Sequence, residues 1–155
     1  MRRRTVVIIA LAAVLGIGVA AGLYWFEPWR LFTSTTVDEQ VGAGTVLREG
    51  SFVTHEHDTS GVARLVTYPD GRRVLELVDL ATSDGPDLRV WLTDREVTDD
   101  WRVFDDGRWT ELGPLKGNRG NQVYTVPDGL DLDAYRSVAI WCRRFAVSFG
   151  AAELR

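Results

Sequence analysis

Cys142 is the only cysteine of the chain and stands in the stretch SVAIWCRRFAVSFGAAELR, with Arg143 and Arg144 directly after it. A thiol reacts as the thiolate, and positive charge beside it lowers its pKa and makes that form available. An unpaired thiol in an oxidising compartment must be shielded or used. The competing reading is a small buried hydrophobe, a common fate of free cysteine. His55 and His57, the only histidines, lie two apart in THEHD. On a strand that spacing puts both rings on one face, where they either chelate a metal or face water. Together with Cys142 they make the inventory of a two-histidine, one-cysteine copper site. The usual blue-copper loop carries a histidine and a methionine after its cysteine, whereas here no histidine follows Cys142 and Met1 is the sole methionine. Covalent haem attachment requires C-x-x-C-H, which is absent, and non-covalent haem has no supporting ligand motif.

Two other stretches combine turn residues with polar groups. Ser83–Asp87 in DLATSDGPDLRVWLT and Lys116–Gln122 in LGPLKGNRGNQVYTVP both read first as turns. The second also has the composition of an anion nest, without the helix and the G-K-[ST] ending of a phosphate loop. No G-x-S-x-G and no H-E-x-x-H occurs, so hydrolase chemistry has little to stand on. The acidic pairs Asp99-Asp100 and Asp105-Asp106, and the run Asp128, Asp131, Asp133, lack the calcium-loop pattern and read as solvated loops.

Those residues need a frame, and the pattern supplies a β one. Short runs rich in Val, Leu, Ile and aromatics recur from about Ala43: GTVLRE, GSFVTH, GVARLVTY, RVLELVDL, LRVWLT, RWTELG, QVYTV, SVAIWC and AVSFGAAEL. Their spacing of about ten residues suits an all-β ectodomain, an antiparallel β-sandwich of jelly-roll type. YPDGRR marks a tight hairpin, and DDG at Asp105–Gly107 another turn. Val74–Val78 and Val138–Trp141 carry apolar residues on both faces and belong in central strands. Val138, Ile140 and Cys142 share one face while Phe145, Val147 and Phe149 run in the opposite phase, so a bulge or tight turn is expected at Arg143-Arg144.

Ahead of the β pattern, residues 5–26 run without a charge for about 22 residues, enough for a helix rising about 1.5 Å per residue to cross a bilayer. Arg2, Arg3 and Arg4 in the flank 1–4 predict a cytoplasmic N-terminus, and Tyr24, Trp25, Phe26 and Trp29 an aromatic belt on the far side. A cleaved signal peptide is the competing reading, but the apolar run exceeds the usual length. Residues 27–42 read as a juxtamembrane stalk and 43–155 as the extracytoplasmic domain. The whole chain has net charge -4. Without residues 1–30, which hold four arginines and Glu27, 14 basic residues face 21 acidic ones. An acidic domain without a basic patch excludes nucleic acid as a partner class.

HDTSGVARL, DGPDLRVWL, LGPLKGNRGNQVY and SVAIWCRRFAVSFGAAEL, in this order, make residues from about Gly44 to Leu154 resemble the DM-thirteen family of electron-transfer domains, in a membrane-anchored bacterial form. The resemblance implies a β-sandwich at the cell surface or secreted, with redox chemistry at the cysteine of the IWC strand, here Cys142. It also covers His57, Ser60, Gly61, Gly85, Pro86, Asp87, Lys116, Gly117, Asn118, Asn121 and Trp141. The expected function is an extracytoplasmic redox component in which Arg143 and Arg144 tune the thiolate and His57 ligates or relays protons. A lone thiol then needs a partner protein, a metal or a partner's haem. The alternative is a non-catalytic cell-envelope binding module with a structural cysteine.

Overall fold

A computed structural model describes residues 2–155, apart from the side chain of Leu31; Met1, the first residue of the expected basic flank, lies outside the described residues. Helix α1 (Arg2–Phe26) is followed by a 3-10 turn at Pro28–Phe32 and nine strands. These are β1 (Thr36–Asp38), β2 (Thr45–Thr54), β3 (Ser60–Thr67), β4 (Arg73–Ala81), β5 (Leu88–Thr93), β6 (Trp109–Pro114), β7 (Arg119–Thr125), β8 (Ser137–Cys142) and β9 (Val147–Glu153). The all-β expectation after one N-terminal helix holds. None of the described residues of α1 is buried, and its length and apolar composition are those of a membrane span.

The strands form one sheet in the order β1-β7-β4-β3-β2-β9-β8-β5-β6. Every neighbouring pair is antiparallel except β1 with β7, which is parallel. Only residues 115–118 connect β6, at one edge, to β7, second from the other edge. Four residues reach roughly 14 Å at full extension, so the sheet has to curl until its two ends meet. The two expected layers are thus two halves of a single surface. Between them lie Leu65, Leu75 and Leu77 from one half and Val90, Ile140 and Phe149 from the other.

β2 joins the halves. GTVLRE and GSFVTH, expected as two strands, are one: residues 45–51 pair with β3 and residues 52–54 with β9. Gly50 sits at the handover, where a Cβ would lie 1.8 Å from the carbonyl oxygen of Glu153. Only hydrogen fits in that gap. The hairpin at Tyr68–Arg73 forms as expected, with Tyr68 N–H donating to Arg72 O at 2.8 Å and Gly71 at φ 85°. GLDLDAYRS contains one 3-10 turn, Leu132–Ala134. Within residues 27–42, read as a juxtamembrane stalk, β1 is a strand of the sheet; three residues are too few to show a period in the sequence.

β8 and β4 are the central strands their patterns implied. All six residues of β8 are buried. Its inward side chains Val138, Ile140 and Cys142 enter the main core, while Ala139 and Trp141 face a second, smaller cluster with Trp91, Phe104 and Ala151. Val97, Trp101 and Val103, in and just before the 3-10 turn Trp101–Asp105, cover that outer face. On β4, the wholly buried Glu76 accepts hydrogen bonds through Oε1 from Gly42 N–H and from the Tyr68 hydroxyl, both at 3.0 Å. This ties the segment before β2 across that face.

The close approach at Gly50 generates a test. Gly50→Ala must push β2 and β9 apart, so urea denaturation of the full chain should show a loss of about 2–4 kcal/mol. A midpoint equal to wild type would mean that the two halves are not joined this tightly.

Candidate functional site

All four motifs quoted for the family meet at one end of the curled sheet, the end from which α1 departs. The end of β2, the starts of β3 and β9, the end of β8, the start of β5 and the end of β6 lie there by register. Between the Asp84–Leu88 loop and Pro114–Gly117 runs a cleft of 230 Å³, closed on its third side by Arg30 and Thr35.

Cys142 terminates β8 behind this cleft, paired with Leu88 on one side and Val147 on the other. It is fully buried and unpaired. Burial pushes its thiol above the ordinary value, and the backbone at Phe145, Arg144 and Asp87 opposes that only in part. The two arginines after it make the expected tight turn, residues 143–146, with Ala146 at φ 52°. The bulge is separate. Ile140 pairs with Gly150 and Trp141 with Ser148, which leaves Phe149 as the extra residue that brings β9 back into phase.

Both guanidinium groups of the turn are engaged away from the sulfur. Arg143 Nε donates to Asp87 Oδ2 at 2.9 Å. Arg144 Nη1 donates to Trp25 O at 2.9 Å and to Glu27 Oε1 at 3.1 Å, with its guanidinium over the Trp25 ring. A lowered thiol pKa was expected from these charges; the raised one reflects burial of the sulfur together with partners that draw the guanidiniums outward. Phe145 stacks on Phe26 with centroids 5.7 Å apart, completing a clamp between the turn and the end of α1. Arg30 pairs with Glu27 and Asp84, and Thr33 donates to Asp84 Oδ2 at 2.8 Å. Sequence reading missed this clamp. Only the three-residue spacing of Glu27 and Arg30 hinted at it.

His55 and His57 do not share a face, because β2 ends at Thr54 and both lie in the bend beyond it. The His55 ring joins Ser148 Oγ at 2.9 Å and Thr98 O at 3.1 Å and tilts against Phe104 in the outer cluster. His57 lies against Phe149 of the main core, with centroids 3.9 Å apart. Among the described residues no three His, Cys, Asp or Glu side chains come together around a possible ion. His55, His57 and Cys142 therefore do not fit a copper site, since one histidine has both nitrogens engaged and the other packs tilted against a phenyl ring of the core.

The remaining motif residues build the end of the sheet. Asp87 holds Arg89 at 2.7 Å as well as Arg143; burial alone would raise its carboxyl, but these hydrogen bonds prevail and hold it below the usual range. Gly85 leaves room for Phe149, whose Cζ would stand 3.0 Å from an added Cβ. Asn118 donates to Thr82 O at 2.9 Å and accepts from Thr35 N–H at 2.7 Å, joining three segments. Asn121 Oδ1 accepts from Asp79 N–H at 2.9 Å, where Asp79 adopts φ 49°. Gly61, at φ 118°, serves the bulge between Ser60 and Val62. Lys116 Nζ pairs with Glu39 at 2.7 Å. The Lys116 and Gly117 amides, possible anion donors, both point to the buried Oε1 of Gln122 at 3.1 and 3.3 Å.

A family model described as electron transfer DM13 matches residues 51–154. The match takes in more than half of the chain and all four motifs that meet at the site end, and the chain belongs to that family. No curated protein and no solved structure matches it.

Two measurements follow. Asp87→Ala should remove the pairs to Arg89 and Arg143, cost about 1–3 kcal/mol in urea denaturation, and speed native maleimide labelling of Cys142; unchanged labelling would show that Asp87 does not secure the turn. For His55, burial lowers the pKa below its ordinary 6.5, so the folded state favours the neutral ring. Its stability contribution is complete above 6.5 and declines as pH falls through the lower folded value. His55→Gln should flatten that part of the stability profile, and a profile as steep as wild type would assign the dependence to another group.

Proposed function

We propose that this chain is a membrane-anchored, extracytoplasmic electron-transfer domain in which Cys142 is the redox group. Family membership supports the electron-transfer role, and the observation that carries the rest is the clamp between the Cys142 turn and the end of α1. Residues 5–26 span the bilayer, Arg2–Arg4 stay on the cytoplasmic side, and residues 27–155 lie outside, with 27–42 leading into the domain of 43–155. The redox end then faces the membrane surface, and its partner is a redox protein that works there.

A lone thiol stores oxidation as a mixed disulfide with a partner thiol or as a sulfenic acid. In either case the sulfur has to be reached, and the 143–146 turn is the cover that must lift. Arg143 and Arg144 act through that cover, by holding it to Asp87 and Glu27. His57 contributes by packing against Phe149, a member of the same core as the thiol. No step is drawn through copper or haem, for which the histidines and Cys142 provide no joint ligand set.

The burial of Cys142 favours a second reading, in which the thiol is structural and the domain binds an envelope partner through its loops. Oxidised glutathione with the native full chain in nanodiscs separates the two, read by mass spectrometry. Under the redox reading a Cys142–glutathione disulfide forms slowly in native protein and faster in Arg144→Ala. Modification confined to denatured protein would leave the structural reading in its place.

A further inference from the structure

Three tryptophans far apart in sequence stand in one column across the outer face of the sheet. Trp109 on β6 stacks on Trp91 of β5 with centroids 4.2 Å apart and planes within 4° of parallel. Trp91 stacks in turn on Trp141 of β8 at 4.9 Å and 20°. Register produces the column: Trp109 pairs with Thr93 and Trp141 with Arg89, so each lies diagonally from Trp91 on the same face. Exposure falls along it, from 44% at Trp109 to 3% at Trp91 and 2% at Trp141. The column begins in solvent on an edge strand and ends at the residue next to Cys142 in the chain.

Filling space does not require this geometry, since aromatic pairs pack as well edge-to-face. Ring overlap adds electronic coupling. Tunnelling falls exponentially with separation, and indole is among the side chains most easily oxidised by one electron. We propose that Trp109, Trp91 and Trp141 form a one-electron relay between the exposed edge strand and the strand carrying Cys142, with Trp109 the point of contact for the oxidant. This rests on the electron-transfer role of the domain, not on access to the thiol.

The oxidant belongs to the class of ferryl haems and photogenerated ruthenium(III) complexes. It takes one electron from Trp109 and is itself reduced by one. Trp91 refills Trp109, Trp141 refills Trp91, and the vacancy rests on Trp141 as a radical cation; no bond breaks and no proton leaves. Glu111 Oε2 accepts the Nε1–H of Trp91 at 3.3 Å and places negative charge beside the middle ring. Arg89, 3.1 Å from Oε1 of the same carboxylate, offsets part of that charge.

Arg108 is exposed and precedes Trp109. Arg108→Cys in the full chain, labelled under native conditions with a ruthenium polypyridyl while Cys142 stays buried, puts a photo-oxidant at the head of the column. Flash-quench oxidation should then trap a radical whose indole N–H proton resists exchange in D2O, as a buried ring requires. Trp91→Phe should abolish that protected radical and Trp141→Phe should leave it on Trp91 with a changed hyperfine pattern, while Trp29→Phe and Trp101→Phe, outside the column, retain the wild-type signal. A trapped radical with an exchanged N–H places the vacancy on Trp109 and overturns the relay without needing any variant to fold. Equal yields of the protected radical in folded Trp91→Phe and wild type overturn it as well. Repeating the flash in Cys142→Ala separates the two ideas. A protected radical there, beside a native thiol inert to glutathione, supports the relay and removes the thiol reading; no migration in either background removes the relay alone.

Discussion

A strand buried on both faces needs cover on both sides, and β8 imposes that condition on the whole domain. None of its side chains from Ser137 to Cys142 meets solvent. A flat sheet can cover one face only through other elements, and apart from α1 the described residues offer just short 3-10 turns. The solution is to curl the sheet onto itself, so that β3 and β4 cover the inner face of β8 while the excursion through Val97–Phe104 covers the outer one. Cys142 and Trp141 are separated by this arrangement. Neighbours in the chain, they enter different clusters, the sulfur inward and the indole outward.

The residues of the four motifs define an end of the sheet more than a pocket. Asn118, Asn121, Gly61, Gly85 and Asp87 each join two or more segments there by a hydrogen bond, a bulge or a close approach. Of these, Asp87 holds the 143–146 turn through Arg143, while Arg144 and Phe145 hold that turn to the end of α1. Such a thiol is kept protonated and covered at rest, the reverse of a cysteine activated by adjacent charge. The redox reading proposed above therefore requires movement of this turn.

Local pattern carried much of the fold. Eight of the nine strands announced themselves by composition, and Pro-Asp-Gly marked the hairpin at Tyr68–Arg73. Glu49-Gly50 looked like a break between strands because glycine usually ends one; here it admits a neighbouring carbonyl inside a continuous strand. The two histidines seemed to share a face because their spacing assumed a strand that in fact stops at Thr54. The phase change after Cys142 was legible, but the turn and the extra Phe149 share the work, and sequence cannot apportion it. The tryptophan column was beyond reach for a different reason. It depends on β5 pairing with both β6 and β8, and the second of these partners lies more than forty residues further along the chain.

The position of β9 between β2 and β8 has a kinetic side. It is the last strand in chain order, yet β2 and β8 meet only through it. During synthesis the edge of β2 and both flanks of β8 cannot all be satisfied until residues 147–153 emerge, so closure is a late, long-range event of the kind that slows folding. Until then an unpaired strand edge and the apolar residues of Val138–Trp141 stay open to wrong partners. A nascent chain of this sort needs shelter before closure more than a protein whose sheets close hairpin by hairpin.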